Sequence, residues 1–315
     1  MRSKNSKMEK EIPETECQVG VLGANSPVGM FLLEELAGAG FNVAAFSRRP
    51  PQSAGSRVQW RNISVLESSN SPAFCFQIPL WVSLMPIWLL PERFDLLRDA
   101  GIRRLVVLGS TSSITQKGSS CARERALARR LADAEGSVLE WAEKNRIRAV
   151  LLLPTLIYGN GQDANVAAIA AFVRRFGFFP VAGEARGLRQ PVHAQDVARA
   201  CHAALVRPEL KNSYILSGGE SLPYREMVRR VFLAANRPSR ILRLPLWLFR
   251  IAALVGRCLG MDIPTGAGER MNQDLVFEHG DATIDLNFRP RKFILSGVDV
   301  SSMPKKLIDR TQKVG

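Results

Sequence analysis

An α/β fold, a doubly wound parallel sheet carrying a smaller α/β unit, is what this sequence predicts, on three observations. Short apolar runs of strand length alternate with helix-length segments from Val19 to Pro154, the order that calls for a parallel sheet with helices on both faces. The first run closes in a glycine turn, Val-Gly-Val-Leu-Gly-Ala-Asn-Ser-Pro-Val-Gly over residues 19–29, and an apolar helix-like segment follows it. The chain of 315 residues is also long enough for one large α/β domain with an appendage.

The elements follow in order. Val19, Val21 and Leu22 suit a buried parallel strand. Gly23 and Gly29 supply a sharp turn and close helix–strand contact, and a helix starting near Pro27 aims free N–H groups at an anion. Gly23, Asn25, Ser26, Pro27, Val28 and Gly29 are therefore candidates to cradle a dinucleotide pyrophosphate, with a purely structural turn as the alternative. Ser26 stands where a middle glycine is usual. The helix runs to Ala39, Gly40 ends it, and Phe41 to Phe46 reads as a second strand.

Ser47-Arg48-Arg49 follows, with no acid anywhere from Leu36 to Leu66. An acid at this strand end holds the ribose 2′-hydroxyl of NAD, whereas an arginine accommodates the 2′-phosphate of NADP. Arg48, with Arg49 as a second contact, thus predicts NADP(H) in preference to NAD(H); two solvated loop arginines are the alternative. Arg57 to Trp60 forms a third strand. Leu80-Trp81-Val82-Ser83-Leu84-Met85-Pro86 reads as a fourth, a short apolar strand stopped by its proline. The apolar run from Ala73 to Leu90 is broken by Gln77, Pro79 and Pro86 and is not read as a membrane span. A helix from Glu92 to Ala100 precedes a fifth strand, Arg104 to Leu108, and the turn Gly109-Ser110-Thr111-Ser112-Ser113. A long helix from Ser120 to Asn145 then leads to a sixth strand, Ala149 to Leu153, closed by Pro154.

Composition narrows the class further. Hydrophobic residues make up 46% of the chain, ordinary for a globular protein. Residues 1–16 are charged and polar and hold no apolar core of signal-peptide length, so they read as a disordered tail of a cytoplasmic protein. Five scattered cysteines, without a Cys-x-x-Cys pair, and only three histidines argue against a metal site. The net charge of +14 comes mostly from dispersed arginines and carries no nucleic-acid motif. The exception is Leu222 to Met261, where eight arginines face a single acid, Glu226. Within it, Leu244 to Leu259 reads as an apolar helix. It is expected to pack inside the molecule with its arginines outward; contact with an acidic membrane surface, or a cover over an apolar substrate, is the alternative.

Taken together, these motifs resemble the extended or atypical short-chain dehydrogenases/reductases, the group of NAD-dependent epimerases and dehydratases. Gly23 to Gly29 resembles the first-turn fingerprint, Leu84-Met85-Pro86 the loop beneath the adenosine, and Gly109-Ser110-Thr111 the turn bearing a catalytic Ser or Thr. Pro154-Thr155-Leu156-Ile157-Tyr158-Gly159 resembles the family's Arg-Pro-x-x-Ile-Tyr-Gly segment, with Leu153 in place of the arginine. Pro191 to Ala198 resembles Val-His-x-x-Asp-Val-Ala, and Tyr214 to Glu220 resembles Tyr-Asn-Leu-x-Gly-Gly. Asp281 to Phe293 resembles the closing segment. The resemblance implies that Gly109, Ser110, Pro154, Thr155 and Leu156 border the cofactor, and that the substrate is a sugar nucleotide or a similar carbonyl or carbinol compound. It also implies a dinucleotide domain over 17–155, a substrate domain with interleaved return segments over 156–300, and a tail over 301–315.

One departure bears on catalysis. The family acts through Tyr-x-x-x-Lys, which this chain lacks. Aligned over it is Cys121-Ala122-Arg123-Glu124-Arg125. Cys121 then takes the place of the phenol and Arg125 that of the lysine, with Thr111 and Ser112 as further candidates to polarise a substrate carbonyl. His193 and Asp196 are expected to brace the substrate domain. A member of another class, a dinucleotide-binding sensor or assembly factor without catalysis, remains the alternative.

Overall fold

The structure, a computed structural model, describes residues 18–51, 56–66, 77–119, 121–163, 165–258 and 266–301. The expected tails at 1–16 and, beyond Ser301, at the C-terminus lie outside the described residues, as do Cys17 and Cys75.

The chain alternates as its sequence pattern demands. β1 (Val19–Leu22), α1 (Pro27–Gly38), β2 (Val43–Ser47) and β3 (Val58–Asn62) are followed by β4 (Leu80–Ser83), α2 (Phe94–Asp99) and β5 (Arg104–Leu108). Then come α3 (Ser112–Thr115), α4 (Ala122–Lys144), β6 (Arg148–Pro154), β7 (Ile157–Tyr158), α5 (Val166–Phe176), β8 (Phe179–Ala182), β9 (Leu188–Arg189) and β10 (Val192–His193). The rest comprises α6 (Ala194–Val206), β11 (Ser213–Leu216), β12 (Leu222–Pro223), α7 (Tyr224–Ala234), β13 (Ile241–Leu244), α8 (Leu246–Cys258), α9 (Ala267–Arg270), α10 (Gly280–Leu286) and α11 (Gly297–Ser301).

Seven strands form one parallel sheet in the order β11-β6-β5-β4-β1-β2-β3. The chain reverses its direction of travel across the sheet between β1 and β4. A crevice opens at such a switch point, outside the carboxyl ends of the strands, where α/β sheets take their ligands. α1 and α6 cover one face and α2 and α4 the other, each over its own apolar core. Small residues set the register: Gly20 lies opposite Trp81, and a Cβ there would stand 2.4 Å from the indole Cε3. Trp81 is fully buried, stacks on Phe46 at 5.6 Å and donates its Nε1 hydrogen to Ile78 O at 2.7 Å.

The last strand of the sheet, β11, comes from the second half of the sequence and pairs with β6. The remaining elements build a lobe from three two-stranded ladders, β10-β7, β12-β9 and β13-β8, with α5 and α7 over an apolar cluster that includes Tyr158, Val173, Phe232 and Phe293. α8 corrects the expectation of an apolar helix packed inside. Phe249 and Ala253 do bury themselves, against Val181, Ala182 and Met271, but Trp247 is 63% exposed, Leu254 60%, Val255 53% and Ile251 51%. The helix has apolar residues on two opposite sides, and the lobe covers one of them.

Candidate active site at the switch point

The glycine turn is held from three directions. Gly23 has φ +75°, donates its N–H to Phe46 O at 3.1 Å, and leaves so little room that a Cβ would lie 2.9 Å from Met85 N. Both the left-handed backbone and the close approach of the β4 end require glycine here. Ser26, in extended conformation, caps α1, accepting the Gly29 N–H on its Oγ at 3.1 Å. The serine in place of the usual middle glycine thus has its own local work, satisfying one of the donors a helix start leaves open. A Cβ on Gly29 would meet Ala24 O at 2.2 Å. Pro27 opens the helix, and Val28, its second residue, has no intrahelical acceptor for its N–H. This helix start fits an anionic pyrophosphate.

The rim is tied to the turn. Asn25 Nδ2 donates to Arg49 O at 3.4 Å and Arg49 N–H to Ser47 Oγ at 3.2 Å, and both Arg48 and Arg49 are exposed at the end of β2. On the other side of the crevice Leu84 N–H donates to Leu22 O at 2.9 Å, with Leu84 and Met85 half-buried and Pro86 exposed. Gly109 N–H donates to Leu152 O at 2.8 Å and Ser110 Oγ accepts Ser112 N–H at 3.1 Å. Thr111, 7% exposed, gives both its N–H and its hydroxyl hydrogen to Pro154 O, each at 3.2 Å. Its side chain is therefore engaged with backbone, while Ser112 stays half-buried at the start of α3. Pro154 is buried. Thr155 N–H donates to Leu216 O at 3.1 Å and its hydroxyl to Gln190 O, and Leu156 O accepts from Val192 N–H, so this segment ties β6 to the second half of the chain.

The residues aligned over Tyr-x-x-x-Lys stand at the start of α4, well along the helix from the residue beside the end of β5. Cys121 is the N-cap of α4, and Arg125 Nη1 donates to Ser119 O at 2.7 Å. The α4 residue alongside the end of β5 is Glu135: a Cβ on Gly109 would lie 3.2 Å from its Oε1. At about 1.5 Å per residue, Cys121 sits about 20 Å and Arg125 about 15 Å along the helix from Glu135. The buried residues of α4 are Glu124, Ala128, Leu131, Ala134, Val138 and Ala142; at 100° per residue the half-buried Glu135 falls on the same side, whereas Cys121 precedes the helix and Arg125 is not among them.

Glu135 is the acid the sequence reading missed. Burial raises its pKa above the ordinary glutamate value, opposed by the Ser113 hydroxyl and the charge of Lys117, and its Oε1 is buried without a hydrogen-bond partner. The signal was its place on the inward repeat. Glu124, on the same stripe, is committed elsewhere: it accepts from Ser119 Oγ at 2.7 Å and pairs with Arg270 at 3.2 Å.

None of the three tyrosines lies on α4. Tyr158 is fully buried and pushed up to about 12 by desolvation, with its hydroxyl aimed at Lys292 O and Ile294 O. Tyr214 donates to Asp285 at 2.8 Å, and Tyr224 lies under the Arg189 guanidinium. His193 caps α6 through Nδ1 and stands 3.8 Å from Asp299. Burial alone would raise Asp299, yet hydrogen bonds from His193, Ser296 and the Asn160 N–H hold it well below the carboxylate range. Asp196 grips Arg291 through both oxygens at 2.8–3.1 Å and also takes the Arg291 N–H, clamping the closing segment onto α6. Both residues brace the structure.

The comparisons agree with this architecture. The model of the NAD dependent epimerase/dehydratase family matches residues 94–216. The UDP-glucose 4-epimerase of Vibrio cholerae is 25% identical over 136 residues, 42% of this chain and 42% of that protein, so the match spans less than half of this relative's length. In fold, the chain is similar to a UDP-glucuronic acid 4-epimerase from Bacillus cereus in complex with NAD, with a TM-score of 0.66 and 13% identity over 93% of this chain and 99% of that one. The UDP-glucose 4-epimerase of Thermotoga maritima with UDP-glucose gives a TM-score of 0.65 and 12% identity over 93% and 99%. With the parallel sheet, the glycine turn and the ordered motifs, these matches show that the chain has the fold of the solved UDP-sugar 4-epimerases and that its residues 94–216 are similar to the NAD dependent epimerase/dehydratase family.

Proposed function

We propose that the chain binds a nicotinamide dinucleotide across the C-terminal edge of its sheet and acts on a sugar nucleotide, with the Glu135 carboxyl as the proton-transferring group. The observation that carries this reading is the juxtaposition of Glu135 Oε1 with Gly109 at the end of β5, on the same sheet edge as the Gly23 turn. The α1 start takes the pyrophosphate, and Arg48 and Arg49 favour the 2′-phosphate of NADP(H). The bound nicotinamide would accept and return a hydride at a carbinol carbon. A carboxyl whose pKa is raised by burial is a stronger base than an ordinary glutamate and is suited to take the hydroxyl proton and give it back. Thr111 holds the turn that presents Ser110 and Ser112.

Titration of the purified chain with NADH and NADPH, followed by turnover assays on UDP-glucose and UDP-N-acetylglucosamine, tests the reading. Tighter NADPH binding together with epimerisation that Glu135→Gln abolishes supports it. A second reading, a dinucleotide-binding protein without turnover, draws on the distance of Cys121 and Arg125 along α4 from Glu135 and on the placement of all three tyrosines elsewhere. Dinucleotide binding without turnover of either sugar nucleotide, and unchanged in Glu135→Gln, favours that second reading.

A further inference from the structure

The outward side of α8 carries a second surface. At 100° per residue Trp247, Ile251, Leu254 and Val255 fall within one stripe, opposite the buried Phe249 and Ala253, and each is more than half exposed. A helix of an ordinary substrate lobe turns polar residues to that side. The stripe is flanked by arginine. Arg250 is 58% exposed beside it, Arg243 is 57% exposed on the preceding strand, and Arg237 and Arg240 are exposed in the segment that leads into that strand. Among the described residues few acids balance them: Glu184 serves Arg186, Arg225 and Arg243, and Arg250 pairs with Glu269.

We propose that α8 is a peripheral membrane-docking helix that sets Trp247, Ile251, Leu254 and Val255 into the interface of an anionic bilayer, with the neighbouring arginines against its headgroups. An exposed tryptophan within an aliphatic stripe, rimmed by arginine, has the amphipathic character that favours the boundary between headgroups and acyl chains. Charge selects this occupant over two others. A second copy of the chain brings the same net charge of +14. The chain's own segment from Met303 to Gly315 is basic too, with Lys305, Lys306, Arg310 and Lys313 against Asp309. An acidic lipid surface is attracted by the arginines that would repel both. No helix among the described residues is long and apolar enough to cross a membrane, so the contact lies on the surface. The docking is independent of whether the sheet edge turns over a sugar nucleotide.

Sedimentation of the full chain with vesicles of phosphatidylcholine alone, or of phosphatidylcholine and phosphatidylglycerol in equal parts, tests the proposal. The chain should partition onto the anionic vesicles and much less onto the neutral ones, with binding weakened by salt. Trp247→Ser combined with Leu254→Ser should lower the partition at least ~10-fold, because both side chains supply buried apolar area only when lipid is present. Melting temperature and dinucleotide affinity should not change, since neither side chain is packed in the fold. Arg237→Glu with Arg240→Glu should weaken binding to anionic vesicles alone. Failure to bind anionic vesicles, or binding that the double serine variant retains, overturns the proposal. A concentration-dependent dimer that the serine variant abolishes, without lipid binding, assigns the stripe to a second copy and overturns it equally.

Discussion

The glycine turn at β1 and the helix α4 border the same crevice, and they obey different constraints. In the turn, backbone geometry fixes the residues: Gly23 has a positive φ and nearly touches Met85, Gly29 nearly touches Ala24, and Ser26 caps the helix that follows. On α4 the constraint is position alone. Whatever side chain occupies the inward repeat beside Gly109 faces the sheet edge, and here it is Glu135. A turn held by main-chain contacts tolerates little substitution, whereas a helix position beside a sheet edge can change its side chain without changing the fold.

The contrast is most exposed at Glu135. Glu135→Gln should lower turnover by about 10²–10⁴-fold, the usual range for a positioned acid–base group, with dinucleotide affinity unchanged. The same variant has a stability signature. The folded chain holds this proton more tightly than the unfolded chain does, so stability falls as pH rises through and above the ordinary glutamate value. Glu135→Gln should flatten that fall in a pH series of urea melts. Asp299 should show the opposite sign: its hydrogen-bonded carboxylate stabilises the fold at neutral pH, and that contribution is lost as the pH drops below the ordinary aspartate value.

Next in size is Asp196→Ala, which leaves the half-buried Arg291 without its carboxylate and should cost about 3 kcal/mol in chemical denaturation. A loss of stability confined to this variant would mark the clamp as structural, apart from the chemistry of the edge. Arg48→Ala should reduce any preference for NADPH over NADH by about 10-fold, the loss of one charge-assisted phosphate contact, in parallel titrations. The smallest effect belongs to Cys121→Ser. With the thiol about 20 Å along α4 from Glu135, turnover should change by less than about 2-fold, far below the loss of a positioned acid. A 10-fold loss there would return the proton to the thiol and break the contrast.

The alternation of strands and helices around β1 was legible because apolar runs and glycine turns are local signals, and so was the helix start near Pro27. Arg48 stood out in the sequence by the lack of any neighbouring acid, and the structure leaves it exposed at the end of β2. Sequence alignment put Cys121 over the family's tyrosine because it matches residue spacing, whereas the level at which a helix crosses a sheet edge is set by tertiary packing, which puts Glu135 of α4 beside Gly109. α8 was misjudged for a related reason: an apolar helix announces its composition, while only the lobe around it determines how many of its sides are covered.

By itself the sequence determined what short-range physics controls: the parallel strands, the conformation of the glycine turn, the caps, and the resemblance that followed from their order. Tertiary structure alone decided which side chain of α4 stands beside Gly109, that Asp196 is spent on Arg291, that β11 completes the sheet from the far half of the chain, and that one stripe of α8 is left uncovered. Each of those facts joins residues distant in sequence. The geometry that brings them together is the sum of many packed contacts and is written in no single motif.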